Sequence, residues 1–247
     1  EGAEAIFSDE FGSPKDAKGQ FLHNGAVELI VKDNASLTYV SIQEFGDNMW
    51  QFSHERGRVG RDGKLDWILS IMGTGLIKAF QTSELDGQGA YARMSGLFFG
   101  DKRQHFDLDT QQNHNAPSTV SDLLYKGAMK HQSRSVWQGM IKALPGSQQI
   151  DGFQANRNLL LENTARADSI PGLEIEADDV ACTHASTVGH LDENELFYLM
   201  SRGIPENTAV RMVVQGFFDP VMQRIPFEGV RNRIADQIMD KVGTLAD

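Results

Sequence analysis

Along the first three quarters of the chain, apolar and polar side chains alternate in short runs instead of recurring every three or four positions. Leu65, Trp67, Leu69 and Ile71 alternate with Asp66, Ile68 and Ser70, and Trp50, Phe52 and His54 alternate with Gln51 and Ser53. Phe106 and Leu108 repeat the pattern between Asp107 and Asp109. Successive side chains of a strand leave on opposite faces, so these runs predict strands whose apolar face is buried. Gly, Asn, Asp and Pro punctuate the runs from about Gly19 to Asp179, which reads as one long β region. Apolar centres recur near Leu29, Val40, Phe52, Leu69, Phe80, Leu97, Phe106, Leu123, Val136 and Phe153. That spacing suits either a sandwich or the coils of a β-solenoid, each coil holding two or three short strands with polar corners.

After Gly189 the period lengthens. Asp192 with Glu195 is a capping signal, Leu196, Leu199 and Met200 form a stripe, and Gly203 stands where a helix ends in a left-handed turn. Pro205 fits the first turn of a second helix with Val210, Val213, Val214 and Phe217 on its apolar side, interrupted at Asp219 and Pro220. Val230, Ile234, Ile238 and Val242 mark a third helix from about Glu228. The expected organisation is a β domain over 1–190 followed by a small helical region over 191–247.

At 247 residues and 40% hydrophobic composition the chain can bury a sizeable core. Its net charge of -11, with no compensating basic block, argues against nucleic acid and anionic membrane surfaces as partners. The longest apolar runs, such as Leu159 to Leu161, fall far short of the ~20 residues that cross a bilayer. Glu1 to Glu10 carry acids where a secretory signal would carry a basic and then an apolar stretch, and the abrupt start raises the expectation of an upstream segment. A single cysteine, Cys182, excludes an intrachain disulfide and fits a reducing compartment, so the cytoplasm is expected.

Candidate chemistry concentrates at Cys182 and His184. Two positions apart on a strand, they share a face, and thiolate plus imidazole suits both zinc and iron-sulfur centres. One thiolate cannot complete a four-ligand site, so a metal or cluster held here needs ligands from another chain or from solvent; the alternative is a small buried cysteine beside a hydrogen-bonded histidine. Asp101, His105, Asp107 and Asp109 form an acidic group that a β-helical carbohydrate-active enzyme would use for acid/base work, against the plainer reading of polar residues on a solvated strand face. His114 reads as a turn residue between Asn113 and Asn115, and Gly73-Thr74-Gly75 and Gly87-Gln88-Gly89 read as turns without a dinucleotide fingerprint. No G-x-S-x-G elbow or other nucleophile constellation is present.

Taken as a block, the segment from Phe153 to Ile204 resembles the C-terminal core signature of the SufB/SufD family of iron-sulfur cluster assembly proteins. The resemblance runs through Phe153-Gln154-Ala155-Asn156-Arg157-Asn158, Pro171-Gly172-Leu173-Glu174, Cys182-Thr183-His184-Ala185-Ser186-Thr187-Val188-Gly189 and Leu196-Phe197-Tyr198-Leu199-Met200-Ser201-Arg202-Gly203. The C-x-H segment, with Cys182 the sole cysteine, is most similar to SufD. The resemblance implies a right-handed parallel β-helix core with a C-terminal helical region and a non-catalytic scaffold role. It implies pairing with a SufB-like subunit along the β-helix, or with itself in a homomeric SufB-like scaffold. It also implies a SufC-like ABC-type ATPase docked on the helices, for which Leu196, Tyr198, Leu199, Arg202, Val213 and Phe217 are the candidate contacts. His184, with its neighbour Cys182, becomes the candidate ligand to a transient iron-sulfur cluster shared with the partner subunit and not bound permanently. The expected location is cytoplasmic, or the plastid stroma in a plastid-bearing cell.

Overall fold

A computed structural model describes residues 1–14 and 18–243, so 15–17 of the expected β domain and 244–247 of the helical region lie outside the described residues. Thirteen strands follow one another before any helix: β1 (Glu4–Gly12), β2 (Phe21–Val31), β3 (Ser36–Glu44), β4 (Met49–Val59), β5 (Lys64–Ile71), β6 (Leu76–Leu85) and β7 (Tyr91–Gly100). They continue as β8 (His105–His114), β9 (Val120–Met129), β10 (Arg134–Ala143), β11 (Ile150–Leu160), β12 (Arg166–Ile175) and β13 (Val180–His190). Odd-numbered strands build a seven-stranded sheet and even-numbered strands a six-stranded one, each in strict chain order, and every pair is parallel. The chain therefore winds through about six turns of a parallel β-solenoid. The sandwich alternative falls away, since its sheets would be antiparallel. The β region also extends beyond the expected Gly19 to Asp179, taking in β1 and β13.

The corners explain how strands this short can stack. Asn34, Asp62, Gly89, Ser118 and Gln149 all carry φ between 53° and 72°, the left-handed conformation that Asn, Asp and Gly tolerate best. Each donates its backbone N–H to a carbonyl of the following coil: Asn34 to Arg61, Asp62 to Gln88, Gly89 to Pro117, Ser118 to Gln148 and Gln149 to Asp179, at 2.6 to 3.3 Å. The corner groups thus continue the hydrogen-bond ladder that the strands make.

Inside the coils, Leu65, Trp67, Phe98, Phe106, Leu123 and Trp137 fill the core at 1% exposure or less, with Trp67 edge-on to Tyr39 and Phe106 edge-on to Phe98. The expected inward face of β5 and β8 is correct. That of β4 is not: Gln51, Ser53 and Glu55 point into the solenoid and are buried, while Trp50 and Phe52 stand outside at 47% and 41% exposure. The inward polar row is accommodated because each amide finds a partner within the coil, Gln43 Nε2 donating to Gln51 Oε1 at 2.8 Å and Gln81 Nε2 to Glu55 Oε2 at 3.2 Å.

Three helices follow, α1 (Glu193–Ser201), α2 (Glu206–Met222) and α3 (Glu228–Val242). Asp192 caps α1, accepting from the Asn194 N–H at 2.8 Å, and Gly203 takes φ 85° just past its end. Val210, Val214, Phe218 and Val221 of α2 and Ile234, Ile238 and Val242 of α3 pack on the outer face of the seven-stranded sheet, over Val40, Ile42, Ile68, Leu97 and Phe99. This cover is why Ile68 and Ser70 are as buried as the inward residues of β5. Lys126 and Lys130 fasten it, donating Nζ to the carbonyls of Phe217 at 2.6 Å and Val242 at 3.0 Å.

The expected interruption at Asp219 and Pro220 does not occur: α2 continues through the proline to Met222. Pro220 is exposed on the outer side of the helix. An interior proline costs ~3 kcal/mol. Burying Phe218 and Val221, at ~1.5–3 kcal/mol each, offsets that. Pro205 is the N-cap residue of α2, one position earlier than expected. No described helix is long and apolar enough to cross a membrane.

Candidate functional site at the last coil

The two sheets end at different strands, β13 in one and β12 in the other, and neither has a neighbour on its outer side among the described residues. β13 carries Cys182 and His184. It pairs with β11 so that Gly152 lies opposite Cys182 and Gln154 opposite His184. Gly152 and Gln154 both belong to the inward-facing, buried set of β11, so Cys182 and His184 sit on the inner side of the final coil, which is open at its end. Their Cα atoms are about 6.6 Å apart along the strand.

Each has a different environment. Cys182 is half-buried, with Sγ against the space above Gly152: a Cβ built on that glycine would lie 3.3 Å from the sulfur. Burial pushes the thiol pKa above its ordinary value; the Asp151 carboxylate adds to the rise, and a hydrogen bond with the Gly152 backbone opposes it. At neutral pH the group is a thiol, and a metal ion that binds it displaces the proton. His184 is exposed, as are His190 at the strand's end and most of β13. Among the described residues no three His, Cys, Asp or Glu side chains converge well enough to hold a metal, so Cys182 and His184 stand as an incomplete donor set on an open edge.

His114 is not a turn residue. It closes β8, has no exposed surface, and places Nδ1 2.7 Å from Thr119 Oγ1 and Nε2 2.9 Å from Ser121 Oγ. The Thr119 hydroxyl donates to Ala116 O at 3.2 Å, so Nδ1–H donates to Thr119 and Nε2 accepts from Ser121. Burial lowers its pKa to about 4, which keeps the ring neutral. It lies beneath the candidate pair: the same point above Gly152 that is 3.3 Å from Cys182 Sγ is 3.3 Å from His114 Nε2. Flanking asparagines hid this from the sequence, where the period-2 continuation of Phe106, Leu108 and Thr110 through Gln112 would have pointed His114 inward.

The acidic group is dispersed or internally paired. Lys78 Nζ bridges Asp107 Oδ1, at 2.9 Å, and Asp109 Oδ2, while Asp101 takes His131 Nδ1 at 2.5 Å on the far side of the coil's corner. Asp107 and Asp109 alternate with the buried Phe106 and Leu108 on the solvated face of β8. The G-x-G fragments lie in the loops after β5 and β6, as turns.

Of the candidate docking residues, Tyr198 and Arg202 are exposed, with the Arg202 guanidinium 5.3 Å over the Tyr198 ring. α1 has no buried residue, and Phe197, absent from the expected set, is its most exposed large hydrophobic side chain at 71%. Leu196, Leu199, Val213 and Phe217 are half-buried; Phe217 packs on Phe218 and under Lys126.

A helical layer on one side and a terminal coil that is open among the described residues define a parallel β-solenoid protein. The comparisons carry this to a family. The model of the SUF system FeS cluster assembly SufBD core domain matches residues 1–217, and the chain belongs to the SufB/SufD family, within which it is most like SufD. It is 37% identical over 227 residues to an iron-sulfur cluster assembly SufBD family protein of Mycobacterium leprae, covering 89% of this chain and 58% of the relative. Over 231 residues it is 37% identical to a SufBD family protein of Mycobacterium tuberculosis (90% and 58%) and 36% identical to the iron-sulfur cluster assembly protein SufD of Bacillus subtilis (93% and 52%). The chain thus spans little more than half the length of these relatives.

Proposed function

We propose that this chain is a scaffold subunit for iron-sulfur cluster assembly. It pairs with a SufB-like subunit through its last coil and offers His184 and Cys182 as part of the ligand set of a nascent cluster, which is cargo and not a resident group. The observation that carries this is the position of the pair on β13, which has no strand neighbour on its outer side among the described residues and can take another strand there. A thiol and an exposed imidazole leave two or more coordination positions for a partner's side chains. The protein itself supplies binding, with Cys182 giving up its proton as the metal arrives, and the chain's role is non-catalytic.

The same reading gives α1 and the exposed edge of α2 to a SufC-like ATPase, supported by Phe197, Tyr198 and Met200 at 71%, 58% and 43% exposure on a helix that buries nothing. A cytoplasmic or stromal setting goes with this function. The test is co-expression with SufB-like and SufC-like partners. Substituting Ser186→Pro in mid-β13 removes a backbone donor and should abolish capture of the SufB-like subunit while leaving ATPase capture intact. Full capture of both partners by the variant would rule out β13 as the pairing strand.

A further inference from the structure

On the outer face of β11 stands Arg157, which differs from the other strand arginines. Arg56, Arg58, Arg134 and Arg166 each hold a carboxylate at 2.7 to 3.0 Å, and Arg93 is paired with Asp66. Arg157 is exposed and has no ion pair among the described residues, on a chain with 34 Asp and Glu against 23 Lys and Arg.

Its neighbours on the sheet sharpen the contrast. Lys126 of β9 lies directly across from it on one side and Thr187 of β13 on the other, with Ala155 and Leu159 flanking it along β11. The one charge beside it is therefore of its own sign, and like charges on adjacent strands repel. Lys126 is 6% exposed and lies under the Phe217 ring, donating to that residue's carbonyl; burial lowers its pKa and Arg157 lowers it further. Asp219, the acid that opposes this shift, stands outside ion-pair distance and accepts from Gln223. A buried ammonium beside a guanidinium thus leaves uncompensated positive charge on a chain whose net charge is -11.

The position of the pair indicates where a compensating acid enters. Arg157 lies one strand in from β13, the edge without an outer neighbour among the described residues. The outer face of β13 is low there: Ala185 and Gly189 flank Thr187, and a Cβ added to Gly189 would meet nothing within 4 Å. A strand joined to β13 would run ~9.6 Å from β11, at ~4.8 Å per step. A guanidinium and a glutamate reaching toward each other over Thr187 span that gap and form a charge-assisted pair.

We propose that Arg157, with Lys126 behind it, receives a carboxylate from the strand of the partner subunit that joins β13; this rests on β13 being the pairing strand. Such a match also sets the register of the added strand, since a slip of one residue turns the carboxylate to the opposite face. Co-expression with the SufB-like and SufC-like partners tests it. Arg157→Glu should weaken capture of the SufB-like subunit tenfold or more at low salt and leave ATPase capture unchanged. Its melting temperature should equal or exceed that of the wild type, because Lys126 then faces an acid. Arg157→Lys keeps the charge and supplies an amine that carbodiimide couples to a carboxylate. Mass spectrometry of the coupled complex should find the bond at an Asp or Glu on the strand beside β13, a result that decides the matter even where Arg157→Glu fails to fold. Full capture by Arg157→Glu, under conditions where Ser186→Pro abolishes it, overturns the inference while leaving β13 as the pairing strand. Capture that survives Ser186→Pro removes the pairing strand itself and the inference with it. Coupling to the ATPase, or to Asp219 of the same chain, equally overturns it.

Discussion

Glu55 is a carboxyl in the middle of the solenoid, 5% exposed, with no ion pair among the described residues. Gln81 donates Nε2 to its Oε2 and in turn accepts from the Tyr125 hydroxyl; Tyr39 of β3, which donates to Asp9 at 3.0 Å, stands on another side of the coil. Burial raises the Glu55 pKa from 4.5 to about 7, an effect that the hydrogen bonds from Ser53 and Gln81 reduce and the Asp9 charge slightly reinforces. Between these two values the folded chain holds a proton that the unfolded chain has lost. Stability from this group is therefore fully present below pH 4.5, falls by ~1.4 kcal/mol per unit as pH rises, and levels off above pH 7, a total loss of about 3 kcal/mol. Glu55→Gln keeps an oxygen for Gln81 and cannot ionise. The variant should match the wild type near pH 4.5 and exceed it by about 2–3 kcal/mol at pH 8.5. Denaturant titrations across that range measure the difference, in which the other titrating groups cancel. Wild-type and variant curves that run parallel would refute the argument, since the charge would then be solvated or compensated in a way the structure does not contain.

Two further consequences follow from packing and exposure. Gly127 lies under the Phe98 ring, where an added Cβ would come within 2.1 Å of Cε2 and 2.7 Å of Asn158 Oδ1, so Gly127→Ala should cost about 1–3 kcal/mol in denaturant unfolding; an unchanged midpoint would mean the coil is looser than described. Phe197→Glu on the outside of α1 should leave stability within ~0.5 kcal/mol and weaken capture of a SufC-like ATPase tenfold or more in a pull-down series, while unaltered capture would remove α1 from the docking surface.

Much of the fold could be read from alternation because the solenoid's interior is apolar on β5 and β8, where Leu65, Trp67, Phe106 and Leu108 mark the inner face without ambiguity. The same rule misplaced β4. A solenoid interior accepts a row of Gln, Ser and Glu when the neighbouring coil supplies partners, and those partners, Gln43 and Gln81, lie 8 and 26 residues away in sequence. Periodicity reports which side differs from the other and not which side is in. α2 escaped its expected stop for a comparable reason, as tertiary packing on both sides of Pro220 outweighs the local cost. At the site, the C-x-H spacing and the family resemblance singled out Cys182 and His184. What they did not reveal was the open edge on which the pair sits, or His114 beneath it, since both depend on which strands pair across the coils.

The central claim is that His184 at the open edge contributes to cluster assembly. The chain, purified anaerobically with its SufB-like and SufC-like partners, is reconstituted with iron and sulfide, and cluster absorbance is compared between wild type and His184→Ala. The account predicts a complex of unchanged composition that has lost most of its cluster in the variant. Unchanged absorbance in an intact complex would contradict it, making His184 a bystander and leaving the cluster's ligands to the partner alone.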